Sequence, residues 1–295
     1  MTLRTRLLAT PLGGALGADI EGADLAALDD AGFADIERAW AAHSVLRFRG
    51  QGISDVQLMQ FGRRFGELDR IPIRAAHVTS SDDPLNRVPP EAREYITVIS
   101  NEKHEGKVVG GLGNYELVWH TDMSYNPEPP SASLLYALAI PPAGGNTSFC
   151  SMYRAYETLP PDLAERISGL FCIHDASRNS AGELRRGFAE VTDPRETVGA
   201  RHPLVRTHPV TGRKALFLGR RRNAYIQGLP LAESESLLDR LWAHATQPQL
   251  CWTQVWRKGD LVMWDNRCVM HRRDPFDDRD QRIMHRAQIR GDRPS

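Results

Sequence analysis

Ten histidines and 37 acidic residues are spread over the 295 residues of this chain, and one pair of them sits where chemistry could use it. In "LVWHTDMSYNP", Leu117 to Pro127, His120 precedes Asp122 by two positions inside a run that reads as a strand. Side chains at i and i+2 of a strand point to the same face, so an imidazole and a carboxylate can converge above the sheet. That pairing suits a divalent metal. A second histidine joining it would complete the two-histidine, one-carboxylate face of non-haem Fe(II) oxygenases. Alone the pattern carries little, because a chain of this composition contains about one His-x-acid by chance. It needs a distant histidine and an anion-binding group beside it.

The strongest candidate for the histidine is His271 in "DLVMWDNRCVMHRRDPF", where an apolar strand from Leu261 to Trp264 runs into a polar "DNR" and re-emerges at "CVMH". That places His271 at a strand end, free to point into a cavity. Arg286 follows in "QRIMHRAQIRG", where strand alternation puts Ile283, His285 and Ala287 on one face and Arg282, Met284, Arg286 and Gln288 on the other. An arginine on an inward face requires an anion. The run "GRRRNAY", Gly219 to Tyr225, concentrates positive charge. Such runs are usually solvated, but Arg221 would favour an anionic substrate if it reached a pocket.

The elements that must position these groups are mainly β. Asp29 or Asp30 can cap a helix running to Ala42 with Phe33, Ile36 and Trp40 at helical spacing, and the strand "SVLRFRG" follows. Ser54 starts a second helix with Leu58, Phe61 and Phe65 along one face and Gly66 as its stop. Thereafter short β-rich runs separated by Pro, Gly and Asn dominate, among them "EYITVIS", "SASLLYALAI", "LFCIHDAS" and "KALFLG". "HPVTGRK" and "RKGD" read as hairpin connections. One helix lies near "SMYRAYETLPPDLAERISGL", and another, "AESESLLDRLWAHAT", is amphipathic through Leu237, Leu238, Leu241 and Trp242. Two long loops, 71–93 and 177–201, are candidates for lids. A jelly roll with flanking helices, folded as a single domain over 1–295, satisfies this pattern.

Composition sets the remaining bounds. With 41% apolar and 25% charged residues the chain has the balance of a soluble globular protein. Lys plus Arg equals Asp plus Glu at 37 each, so no whole-molecule field draws in nucleic acid or anionic membrane. No apolar run reaches signal-peptide or membrane-span form. Cys150, Cys172, Cys251 and Cys268 are far apart and form no CxxC pair, which argues against a zinc knuckle and a disulfide scaffold and points to a reduced, cytoplasmic protein. A homo-oligomer is compatible with all of this.

Four motifs in order, "WHTD", "GGNTSF", "WDNRCVMHR" and "RIMHRAQIRGDRP", resemble the taurine and aryloxyalkanoate dioxygenase family of Fe(II)/2-oxoglutarate-dependent oxygenases. "LDDAGFADIERAWAAHSVLRFRGQ" and "FGRRFGEL" extend the likeness over nearly the whole chain. The resemblance implies a double-stranded β-helix and Fe(II) held by His120, Asp122 and His271. It further implies that Arg286 and Thr147 bind the distal carboxylate of 2-oxoglutarate, with Arg282 a weaker anchor for an anionic cosubstrate or substrate. The separations of 27 positions from His120 to Thr147 and 15 from His271 to Arg286 fit that family. His77, in the loop after "FGEL", falls where the family places substrate contacts. The implied reaction consumes O2, releases succinate and CO2, and hydroxylates a small, anionic substrate. An aryloxyalkanoate is favoured; taurine, an alkylsulfonate or an alkyl sulfate is the alternative within the family. Outside it, a zinc hydrolase would use the same three ligands but leave Arg286 and Thr147 idle, and a non-catalytic small-acid binding protein would keep the arginine and dispense with the ligands.

Overall fold

The first helix begins where the Asp29 carboxylate accepts the N–H of Gly32 at 2.6 Å, and it ends where Ser44 turns left-handed at φ 63°. The second begins with a reciprocal box, in which Ser54 Oγ accepts from Gln57 N and Gln57 Oε1 accepts from Ser54 N. The computed structural model describes residues 7–71, 87–104, 107–108, 111–112 and 117–295. His77 lies outside them.

The chain runs through β1 (Leu8–Pro11), β2 (Ala18–Glu21), α1 (Asp30–His43), β3 (Val45–Phe48) and α2 (Asp55–Arg63). β4 (Thr97–Ser100), β5 (Lys103–His104), β6 (Lys107–Val108), β7 (Gly111–Leu112), β8 (Leu117–His120), β9 (Ala132–Ala139) and β10 (Thr147–Ser151) follow. Next come α3 (Met152–Glu157), α4 (Pro161–Arg166), β11 (Phe171–Asp175), β12 (Gly199–Pro203), β13 (Val205–Thr207), β14 (Lys214–Leu216), β15 (Tyr225–Ile226) and α5 (Leu231–Ala245). The chain closes with β16 (Cys251–Gln254), β17 (Leu261–Asp265), β18 (Val269–Arg273) and β19 (Ile283–Ile289). The fold is mainly β, with few helices.

Two sheets carry the site. The larger has the order β1-β2-β3-β17-β9-β19-β4-β7, and the smaller the order β16-β10-β18-β8. Alternation gives the large sheet two working faces. Leu135, Val262, Trp264 and Met284 join Phe149 and Val269 of the small sheet in one core cluster. Leu134, Leu261, Met263 and Ala287 point the other way, against Ile36 of α1 and Leu58 and Phe61 of α2. Each such Leu or Phe contributes about 1.5–3 kcal/mol by leaving water, so the helices cover one face and the small sheet the other.

Several expectations change in three dimensions. β8 stops at His120, and Asp122 sits in the following turn, where Met123 has φ 47°. Simple strand alternation therefore does not aim its carboxylate. "RKGD" is no hairpin: it carries the chain from β16 in the small sheet to β17 in the large one, with Gly259 at φ 82°. "HPVTGRK" does join a hairpin, β13 to β14. The single helix expected around residues 151–170 is two, because Pro160 and Pro161 interrupt it: a proline offers no N–H and bars the residue before it from helical backbone. Cys150 and Cys251, 101 residues apart, form a disulfide, since β10 and β16 place them opposite each other with Cα atoms 4.3 Å apart. Sequence spacing cannot register such a cross-strand pair. Among the described residues no helix is long and apolar enough to cross a membrane.

Candidate metal centre

His120 and His271 are direct neighbours across the β8–β18 ladder, with ring centres 4.2 Å apart. His271 lies mid-strand rather than at a strand end. The Nε2 atoms of both rings face the same oxygen, Asp122 Oδ1, at 3.7 and 3.8 Å. The three ligand atoms lie within 4.8 Å of one another, and all three side chains are buried. Two imidazole nitrogens and one carboxylate oxygen on one face, at a spacing a single ion can bridge, suit a divalent metal with open positions opposite.

The ligands are aimed by different means. His120 Nδ1–H donates to the Val118 carbonyl at 2.7 Å, which leaves the lone pair on Nε2. His271 is held by packing instead, between Trp264 at 4.8 Å and Phe149 at 6.1 Å centre to centre. Burial, with His120 nearby, pushes His271 down to about 3, so the ring is neutral and able to ligate. Asp122 is fixed through its second oxygen, Oδ2, which accepts from Ser133 Oγ at 2.7 Å and Gln288 Nε2 at 3.2 Å. Ser133 Oγ in turn accepts from Asn266 Nδ2 at 3.0 Å, and Asn266 Oδ1 accepts from Trp264 Nε1 at 2.8 Å. Oδ1 is thereby left to the metal position and to Arg286, whose guanidinium donates to it at 3.3 Å. Burial alone would raise this carboxylate, but Arg286 and the two histidines hold it well below the usual range.

The turn bearing Asp122 is pinned from outside. Thr121 N donates to Gly219 O at 3.2 Å, and His202 Nε2–H donates to the carbonyls of Ser124 and Asn126 at 2.8 and 3.0 Å.

The triad opens on a cavity of about 160 Å³ between the two sheets, lined also by Thr147, Arg282 and Arg286. Thr147 Oγ1 accepts from Trp256 Nε1 at 3.0 Å, so its own proton is free to donate into the cavity. Arg282 is 2% exposed and its Nε has no partner. Among the described residues no carboxylate pairs with it, and burial beside Arg273 pushes its guanidinium down to about 9. Arg221 does not line the cavity: Glu235 and Asp239 bind it, each at 2.7 Å. Its neighbour Arg220 does line it, and so do Asn179, Ser180 and Arg185 from the 177–201 loop.

A second buried cluster, His208, Asp265 and Cys268, is not a competing centre. His208 Nδ1 accepts the N–H groups of Val210 and Thr211, its Nε2–H donates to Asp265, and Arg267 takes both Asp265 oxygens. Neither His208 nor Asp265 keeps a ligand atom free for an ion.

Sequence reasoning missed Ser133, Asn266, Arg220 and Arg185. Gln288 was already on the Arg286 face of its strand, and that was the only available sign of the carboxylate clamp.

Residues 8–288 match the family model described as taurine catabolism dioxygenase TauD, TfdA family. The chain is 37% identical to an alpha-ketoglutarate-dependent 2,4-dichlorophenoxyacetate dioxygenase of Cupriavidus pinatubonensis, over 95% of this chain and 96% of that one. It is 33% identical to an (S)-phenoxypropionate/alpha-ketoglutarate-dioxygenase of Delftia acidovorans, over 98% and 97% of the two chains. The crystal structure of AAD-2 in complex with Mn(II) and N-oxalylglycine superposes with a TM-score of 0.77 at 32% identity, covering 98% of this chain and 99% of that one.

Proposed function

The chain belongs to the TauD/TfdA family and is with it an alpha-ketoglutarate-dependent dioxygenase; from that premise we propose that it hydroxylates a small anionic substrate of aryloxyalkanoate type. The observation that carries this reading is one cavity holding both a two-imidazole, one-carboxylate face and the buried Arg282 guanidinium, which no acid among the described residues neutralises. A zinc hydrolase on the same triad would leave that guanidinium without an anion.

His120, Asp122 and His271 would hold Fe(II), and the iron supplies oxygen activation coupled to decarboxylation of 2-oxoglutarate into succinate and CO2. The protein binds, orients and excludes water. Of Arg282, just before β19, and Arg286 within it, both lining the cavity, Arg282 is the better holder of the distal carboxylate of 2-oxoglutarate. Arg286 touches Asp122 Oδ1 and so lies beside the metal position. Arg282, four residues earlier in the chain, lines the same cavity without touching Asp122, where the far end of a chelating 2-oxo acid can reach its flexible side chain. Thr147 donates its free proton to the same carboxylate. Arg286 then serves the substrate carboxylate, directing the adjacent C–H bond toward the metal. The fold that supports this is a double-stranded β-helix folded as one domain.

The test is anaerobic addition of Fe(II) and 2-oxoglutarate, followed by the visible metal-to-ligand charge-transfer band. Wild type develops the band. Arg282→Met weakens 2-oxoglutarate binding a hundredfold or more, the value of two charge-assisted hydrogen bonds at about 1.5–3 kcal/mol each. Arg286→Met keeps the band and loses substrate affinity. Absence of the band in wild type, or the reverse assignment of the two variants, would refute the corresponding part of this reading.

A further inference from the structure

Beyond Arg282 and Arg286, three more arginines line the cavity, Arg185, Arg220 and Arg273, and the first two flank Tyr125. Arg220 is 7% exposed; its guanidinium donates to the Arg178 carbonyl at 3.3 Å and to Ser180 Oγ at 3.0 Å, while Nε is buried and unpartnered. Arg185, half-buried, places its guanidinium 3.8 Å from the centre of the Tyr125 ring, and that of Arg220 lies 5.6 Å from the same ring. Burial and the neighbouring Arg185 both push Arg220 downward. Among the described residues neither has a carboxylate within ion-pair distance.

This is a local exception. Arg178 and Arg222, in the same segments, share Glu190, and Arg221 binds Glu235 and Asp239. Arg178, Arg221 and Arg222 thus have acids, and Arg185 and Arg220 have none among the described residues. An uncompensated buried cation is costly, so it persists where a ligand neutralises it. The charge count agrees. Arg185, Arg220, Arg273, Arg282 and Arg286 line the cavity with a single carboxylate, Asp122, an excess of four. A divalent metal and a divalent cosubstrate cancel each other, and a monocarboxylate would remove only one of the four.

We propose that Arg185 and Arg220, flanking Tyr125, form a second anion subsite, and that the primary substrate carries two anionic groups: a carboxylate at Arg286 and a further carboxylate or sulfonate at this pair. The proposal rests on the dioxygenase reading and names the substrate class of that site.

Matched probes test it: phenoxyacetate, with one charge, and 4-carboxyphenoxyacetate or 4-sulfophenoxyacetate, with two, titrated calorimetrically into the anaerobic Fe(II)·2-oxoglutarate protein. The dianions are expected to bind at least tenfold tighter than phenoxyacetate. Arg185→Gln, on the half-buried side chain, abolishes that margin without changing phenoxyacetate affinity; Arg220→Met does the same where near-ultraviolet circular dichroism shows it folded. A preference for only one dianion assigns the second group as carboxylate or sulfonate. Equal affinity for one and two charges, failure of every probe to bind, or equal weakening of all probes by Arg185→Gln overturns the proposal. The charge-transfer band, measured first and without any probe, separates this from failure of the dioxygenase reading. Its absence would sink both.

Discussion

At the residue scale, the site depends on what each ligand's unused atom is doing. His120 commits its second nitrogen to a backbone carbonyl, and Asp122 commits its second oxygen to Ser133 and Gln288. Ser133 is the hub, because its hydroxyl donates to Asp122 while accepting from Asn266 and Gln288. Ser133→Ala removes the donor and leaves buried amide N–H groups unsatisfied. Loss of such an outer partner typically costs 10–100-fold in metal affinity, and that is the expected loss in a Mn(II) or Fe(II) titration of this variant. An unchanged affinity would show that Asp122 is aimed by Arg286 and packing alone. The ligand types were legible because metal chemistry restricts them to a few side chains. Ser133 and Asn266 were not, because serine and asparagine have structural duties almost everywhere and these two lie 133 positions apart.

At the element scale, the turn after β8 is held by what packs behind it. Gly219 adopts φ +68°, and a Cβ there would come within 2.3 Å of His174 Nδ1. The His174 ring is fixed against His202 and Phe217 at 5.0 and 5.3 Å and cannot retreat. The Gly219 carbonyl accepts from Thr121, the residue between the two metal ligands. Gly219→Ala is therefore expected to destabilise by about 2 kcal/mol or more through strain and overpacking, and to weaken metal binding as well. Gly212, at φ +69° with nothing within 4 Å of where a methyl group would stand, is the control: Gly212→Ala incurs only the backbone strain and leaves metal binding alone. Melting curves and metal titrations of the pair check both halves. The alternating faces of β19 could be read from its sequence, since alternation is local. The end of β8 at His120 could not, because it follows from contacts to Gly219 and β12.

At the scale of the whole molecule, three histidines are buried in the neutral state. Burial pushes His174 well below 6.5, lowers His202, and takes His271 to about 3. Each folded value lies below that of the unfolded chain, so as pH falls through 6.5 the unfolded state takes up protons that the folded state refuses. Stability of the metal-free protein is thus expected to be level above pH 6.5 and to fall below it. Asp265, held at about 2, adds a loss of the same sign at still lower pH, as it titrates below its ordinary 3.8. Melting temperatures near pH 7.5 and near pH 5 check this. No decrease at the lower pH would contradict it, and His174→Phe, which keeps the stack on Phe217, should shrink the decrease.

The linear chain by itself determined the chemistry and the class of fold: which side chains can ligate a metal, which strands alternate, where helices start. Those are properties of residue type and near neighbours, written over a few positions. Only the tertiary structure decided which arginine stands at the metal and which lies deep in the cavity, which oxygen of Asp122 is free, that Cys150 meets Cys251, and that Arg220 rather than Arg221 faces inward. Each of these turns on distances between segments up to 166 residues apart. Such distances are set by how two sheets pack, a collective outcome of burying both faces of the large sheet at once.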